Sequence, residues 1–230
     1  LRIRFGRQRG AALVCALVLM LAAMLVGVSA CRAVFASIAS AGAGRERSIA
    51  HAAAEAALRD AERDIAGADP ARATLFTAAG ASAFVDACGR GGNSRGLCLA
   101  GTPPAWQTLD LAEPGHPALV PYGYYTGALM ASGKGLLTAR LPAYLIEKID
   151  PPGAGAPLGS FYRVTAIGFG SREETRVVLQ SVVRKPAPAG GASGNAPEPP
   201  AAQPTVQLPE GRISWREIAN WPQLHAQALE

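Results

Sequence analysis

Cys88 and Cys98 stand ten positions apart around a glycine-rich stretch, residues 89–97. In an exported chain that spacing suits a disulfide closing a small loop. A metal site is the rival reading, but no CxxC spacing occurs and no histidine lies nearby. His51 and Glu55 are four apart and share one predicted helix face, yet two ligands make no metal site, and a solvated face accounts for them. With only His51, His116 and His225 available, no Ser/His/Asp or Cys/His constellation assembles. Gly127 and Gly133-Lys134-Gly135 imitate a phosphate loop, but the glycines are one residue too far apart and no Ser or Thr follows the lysine. Gly168-Phe169-Gly170 lacks the third glycine of a dinucleotide fingerprint. These patterns point away from catalysis and from any bound cofactor.

The elements that must position these residues begin with a membrane-length helix. Residues 1–10 carry Arg2, Arg4, Arg7 and Arg9, and residues 11–30 hold no charge and one hydroxyl, Ser29. Twenty helical residues span about 30 Å, the hydrocarbon thickness of a bilayer. The arginines predict a cytoplasmic leader and an exported remainder. The formal charge of +5 owes four units to that leader. The rest of the chain is nearly balanced and has no basic stripe interleaved with aromatics, so nucleic acid is excluded as a partner.

The helical pattern continues past residue 30. Residues 32–66 become amphipathic, with Ile49, Ala53, Ala56, Ala57, Ala61 and Ile65 at helical spacing. Arg45, Glu46, Arg59, Asp60, Glu62 and Arg63 fall between them. Gly67 and Asp69-Pro70 end a predicted helix over 11–66, about 80 Å long. Residues 67–142 read as irregular, with a short helix near 73–87, the cysteine loop and a cluster at Tyr122, Tyr124 and Tyr125. Period-two patterns over 143–149, 160–169 and 174–184, with a turn at 170–172, predict an antiparallel meander. Residues 186–209 form a Pro/Ala/Gly linker that packs no core. In residues 210–230, Ser214 and Glu217 have capping-box spacing, with Ile218 and Trp221 following; a docking segment and a short strand over the protein's own sheet are both open.

Three readings compete for the N-terminus. One is a plain signal anchor. A second is a lipoprotein signal, since Val28-Ser29-Ala30-Cys31 fits a lipobox with Cys31 acylated. The third is a prepilin signal cleaved after Gly10, which alone keeps the apolar helix. The run is longer than the 7–15 residues of a removable signal peptide, and the helical pattern passes through Cys31, which favours the third.

The stretch Arg7-Gln8-Arg9-Gly10-Ala11-Ala12-Leu13-Val14 resembles the start of PilX-type minor pilins. So do Leu25-Val26-Gly27-Val28-Ser29, Ala53-Ala54-Glu55-Ala56-Ala57-Leu58-Arg59, the Cys88–Cys98 loop, residues 162–170, residues 177–182 and Arg212-Ile213-Ser214-Trp215-Arg216-Glu217. The resemblance implies an α+β type IV pilin fold, a long N-terminal helix packed on a three- to four-stranded antiparallel sheet. It implies cleavage between Gly10 and Ala11 by a prepilin peptidase and N-methylation of Ala11. It further implies a structural role in type IV pilus assembly, for adhesion or twitching motility. The implied partners are other minor pilins, the major pilin, membrane lipid and the inner-membrane assembly platform. The expected location is the inner membrane, single pass with the C-terminal domain periplasmic, and then the pilus. A membrane-anchored periplasmic binding or sensor module and a type II secretion pseudopilin are the alternatives. Most pilins carry Glu at the fifth mature position, where this chain has Cys15, a departure expected to keep it out of the filament shaft.

Overall fold

The computed structural model describes residues 11–151, 158–187 and 209–230. Helix α1 spans Ala11–Ala66. The chain divides into two units, Leu1–Arg45 and Glu46–Glu230. In the first, every described side chain from Leu13 to Gly44 is exposed, and this is the one described helix long and apolar enough to cross a membrane.

In the second unit, α1 lays Ala50, Ala53, Ala54, Ala57, Leu58, Ala61 and Ile65 against a six-stranded sheet. The strands are β1 (Leu97–Leu99), β2 (Val120–Pro121), β3 (Ala143–Ile149), β4 (Ser160–Phe169), β5 (Arg176–Lys185) and β6 (Gly211–Glu217). β3, β4 and β5 form the expected antiparallel run, and β6, from the tail, pairs antiparallel with β5. The sheet also extends where no alternation announces it: β1 pairs parallel with β3, and β2 antiparallel with the same strand. Two- and three-residue strands are too short to show a period.

Tyr144, Ile146, Tyr162, Val164, Ala166, Val177, Leu179 and Val183 face the helix. Burying one such side chain contributes about 1.5–3 kcal/mol. A row of alanines lets the helix approach closely, and the tightest point is Gly168. A Cβ there would lie 2.2 Å from the Ala50 carbonyl oxygen and 2.3 Å from the Ala54 nitrogen. The opposite sheet face is also buried. Leu145, Ile167, Phe169, Val178 and Ile218 form a second core with Trp106, Leu111, Leu119 and Trp221, supplied by the segment around α3 (Ala105–Thr108) and by α4 (Trp221–Ala228).

Three expectations are corrected. The helix near 73–87 is instead α2 (Pro70–Ala73) followed by 3-10 turns at Thr74–Phe76 and Ala78–Ala83. Asp69 Oδ1 caps α2 by accepting from the N–H groups of Ala71 and Arg72. The Thr74 and Thr77 hydroxyls then donate to the carbonyls of Ala71 and Thr74, competing with longer helix formation. Ser214 and Glu217 do not cap a helix: they lie in β6, and the helix starts at Trp221. The short-strand reading of the tail is the one the sheet contains. The turn after β4 reaches Thr175, whose carbonyl accepts from Gly170 N–H at 2.8 Å. Most of the Pro/Ala/Gly linker, residues 188–208, lies outside the described residues.

Candidate functional site

α1 ends where Gly67 adopts φ +109°, a left-handed conformation that suits glycine at a helix C-terminus. One and two turns earlier the helix carries two fully buried carboxylates, Asp64 and Asp60. Spaced four apart, they share the face that holds Ala57, Ala61 and Ile65. The amphipathic reading placed Asp60 between the stripe residues; it is buried because loops fold over it.

Asp64 receives the Arg72 Nε at 2.7 and 2.8 Å to its two oxygens, and the Tyr144 hydroxyl at 3.0 Å. Arg72 is itself fully buried, stacks its guanidinium 3.7 Å from the Tyr125 ring centroid, and donates through Nη1 to the Asn93 carbonyl. Burial pushes the Asp64 carboxyl above its usual range, against the pull of Arg72. Burial also lifts the Tyr144 phenol well above its ordinary value, helped by Asp64, so it stays a hydrogen-bond donor. Asp60 accepts from Gly123 N–H at 2.7 Å, from the Thr126 hydroxyl, and from Arg63 at 3.0 Å. The Lys185 ammonium caps the helix end by donating to the Ile65 carbonyl at 2.6 Å.

Cys88 and Cys98 are joined by a disulfide, with Cα atoms 4.1 Å apart. Cys98 sits on β1, and the loop between them closes through Gly89 N–H to Leu97 O and Gly96 N–H to Gly89 O. Its far end is tied back by Arg72 at Asn93 and by the Tyr125 hydroxyl, which donates to Gly92 O at 2.5 Å. The disulfide loop and the tyrosine cluster thus hang from one pair of helix carboxylates. Sequence reasoning singled out the loop and the tyrosines but missed Asp64 and Arg72. The available signal was two acids four apart on the apolar stripe.

Of the N-terminal residues, Gly10 lies outside the described residues, and Ala11 is the first residue of α1. Cys15 and Cys31 are free and exposed on the helix. His51 and Glu55 are not a solvated pair. Glu55 accepts from Arg212 at 2.9 Å and Trp215 Nε1 at 3.3 Å on β6, and the His51 ring lies 5.9 Å from that of Trp215. Gly168 lies in β4 and Gly170 in the hairpin after it, with no phosphate-binding helix start at either. Among the described residues, no group of three or more His, Cys, Asp or Glu could hold a metal ion.

Two family profiles match. The PilX N-terminal family covers residues 9–59, and the C-terminal family of the type IV pilus assembly protein PilX covers residues 68–185. No curated protein and no solved structure matched the chain. The matched spans take in most of α1, the carboxylate-anchored loops, the disulfide and strands β1 to β5. The chain belongs to the PilX family of type IV pilus assembly proteins, structural minor pilins that work with other pilus components.

Proposed function

We propose that this chain is a minor pilin that helps prime or support a type IV pilus used for adhesion or twitching motility, and that its role is structural rather than catalytic. The observation that carries the reading is α1: one helix whose exposed apolar residues, Leu13 to Gly44, precede a stretch built into a family-matched globular unit. Residues 1–10 are a leader removed by a prepilin peptidase between Gly10 and Ala11, and Ala11 becomes the N-methylated first residue. Residues 11–31 span the inner membrane with the globular unit in the periplasm, then pack beside neighbouring pilins, where small side chains such as Ala22, Ala23 and Gly27 permit close helix approach. Residues 67–185 present the disulfide loop and tyrosine cluster to lateral partners.

Gly10→Glu should block maturation. The expected result is a slower-migrating precursor and no N-methyl-Ala11 by mass spectrometry of the membrane fraction. Normal processing of that variant, or a mature chain acylated at Cys31, would overturn the reading.

A further inference from the structure

One cleft in the globular unit holds two guanidiniums whose hydrogen bonds go to carbonyls rather than to acids. It encloses about 270 Å³ beside the second core, with Leu111, Leu119 and Phe169 in its walls. Arg95 reaches it from the disulfide loop and Arg140 from the segment before β3. Arg95 donates through Nε to Leu119 O at 2.6 Å and through Nη2 to His116 O at 3.3 Å. Arg140 donates through Nη2 to Ala112 O, and its guanidinium stacks 3.8 Å from the Phe169 ring centroid. A carbonyl fixes the position of a guanidinium but leaves its full positive charge. Among the described residues, no carboxylate lies within 4.0 Å of Arg95. The Arg140 Nε is buried without a hydrogen-bond acceptor, and the half-exposed Glu173 stands 3.6 Å from it. Glu113, the acid that lines the cleft, is exposed and lies 3.7 Å from His116 Nε2. By contrast, Arg72, Arg163 and Arg212 each meet a buried or partly buried carboxylate.

The cleft opens onto an exposed apolar shoulder. Pro121 and Leu141 line it and also a neighbouring depression bordered by Tyr124, Leu129 and Met130. Leu129 is 96% exposed and Tyr124 55%, and the Arg95 guanidinium lies 5.2 Å from the Tyr124 ring centroid. Aromatic residues, Met and Arg are enriched where proteins meet, and contiguous bare apolar surface marks such places. Volume argues the same way. Sites for small molecules enclose about 300–1,000 Å³, whereas this one is smaller and continues across the surface. Room for one side chain in the cleft and another on the shoulder suits an extended peptide segment. Charge complementarity sets its first requirement, a carboxylate, which a guanidinium binds through paired N–H donors. Burial pulls the Arg140 guanidinium below its ordinary value despite Glu173, so an incoming carboxylate is attracted more strongly there than on open surface. The shoulder sets the second requirement, an apolar side chain beside the acid.

We infer that the cleft lined by Arg95 and Arg140 is the docking site for a segment of another pilus component that carries an Asp or Glu next to an apolar side chain. The inference rests on the minor-pilin reading for the identity of that neighbour. In the test, cells that assemble pili carry as their sole copy a full-length chain with Tyr124 replaced by p-benzoylphenylalanine. They are irradiated, and the adducts are mapped by mass spectrometry. The expected adduct joins another pilus protein at a peptide in which an acid neighbours an apolar residue. Arg140→Gln removes the charge and keeps a donor for Ala112 O; it should cut the adduct at least about fivefold. Leu129→Ser, at a side chain too exposed to support the fold, should weaken it as well. Arg140→Glu, combined with the mapped acid changed to Arg, should restore the adduct, which a merely misfolded cleft cannot do. An adduct that neither Arg140→Gln nor Leu129→Ser diminishes overturns the proposal, as does labelling of lipid or of a second copy alone. So does the absence of any adduct from cells that still process the leader and assemble pili. An adduct at an acidic segment of a protein outside the pilus would keep the carboxylate site, overturn the choice of partner and remove the pilus reading.

Discussion

At the residue level, the globular unit is organised by charges removed from water. Arg72 and Asp64 are both fully buried, and a two-oxygen contact offsets their desolvation only while both are present. Arg72→Ala strands Asp64 with Tyr144 alone and frees the disulfide loop at Asn93. The expected cost is about 3–5 kcal/mol, measured as denaturant unfolding of the full chain in detergent. Glu147 is a second buried acid, on β3. Its Oε1 accepts from Ala105 N–H at 2.9 Å, which fixes the start of α3, while Oε2 accepts no hydrogen bond and lies 3.5 Å from Arg163 Nη1. Burial raises its carboxyl above the usual range despite Arg163 and the Ala105 N–H. The folded protein therefore holds this proton more tightly than the unfolded chain does. Its contribution to stability is greatest at acid pH and falls as pH climbs from the ordinary 4.5 through the raised folded value. Glu147→Gln keeps the acceptor for Ala105 and cannot titrate. The wild-type minus variant stability should decline with rising pH across that window; a flat difference would contradict the assignment.

At the level of elements, close contact between α1 and β4 is the constraint that permits little change. Gly168→Ala would set a methyl 2.2 Å from the Ala50 carbonyl oxygen, against backbone that cannot rotate away. We expect a loss of about 2–3 kcal/mol by thermal or denaturant unfolding. Gly91→Ala, at a glycine with open space around it and extended φ, should change little. The long elements were legible in the sequence because their periods are long enough to read. The end of α1 is marked by Gly67 and Asp69-Pro70, and β3 and β4 have the bounds that alternation gave them. What was not legible depends on tertiary partners. β1 and β2 exist only because β3 offers an edge, and Ser214 to Glu217 became strand because β5 offers another. The spacing of Asp60 and Asp64 hinted at a shared face but not at what covers it: Gly123 and Thr126, more than sixty positions away, enclose Asp60. The disulfide was legible from two cysteines and a compartment, but its link to the helix through Arg72 was not.

For the whole molecule, the two units divide the physical work. Glu46–Glu230 has its own two cores, and the alanines that α1 buries begin at Ala50. Leu1–Arg45 buries nothing of its own among the described residues, so its apolar surface calls for lipid or neighbouring helices. On the proposed processing, Cys15 becomes the fifth mature residue, where a carboxylate would neutralise the amine of a neighbouring subunit inside a filament. On that proposal a thiol would leave the amine without a partner in an apolar shaft, and the expected consequence is few copies. Cys15→Glu supplies the missing charge. A carboxylate in the bilayer costs about 2.5–3.5 kcal/mol at a helix centre and less near its end, so insertion should survive. The variant should then be incorporated in more copies per sheared pilus, with immunogold label spread along the shaft, against sparse and localised label for the wild type. Sparse label in both would show that the globular unit, not the missing carboxylate, limits entry to the shaft.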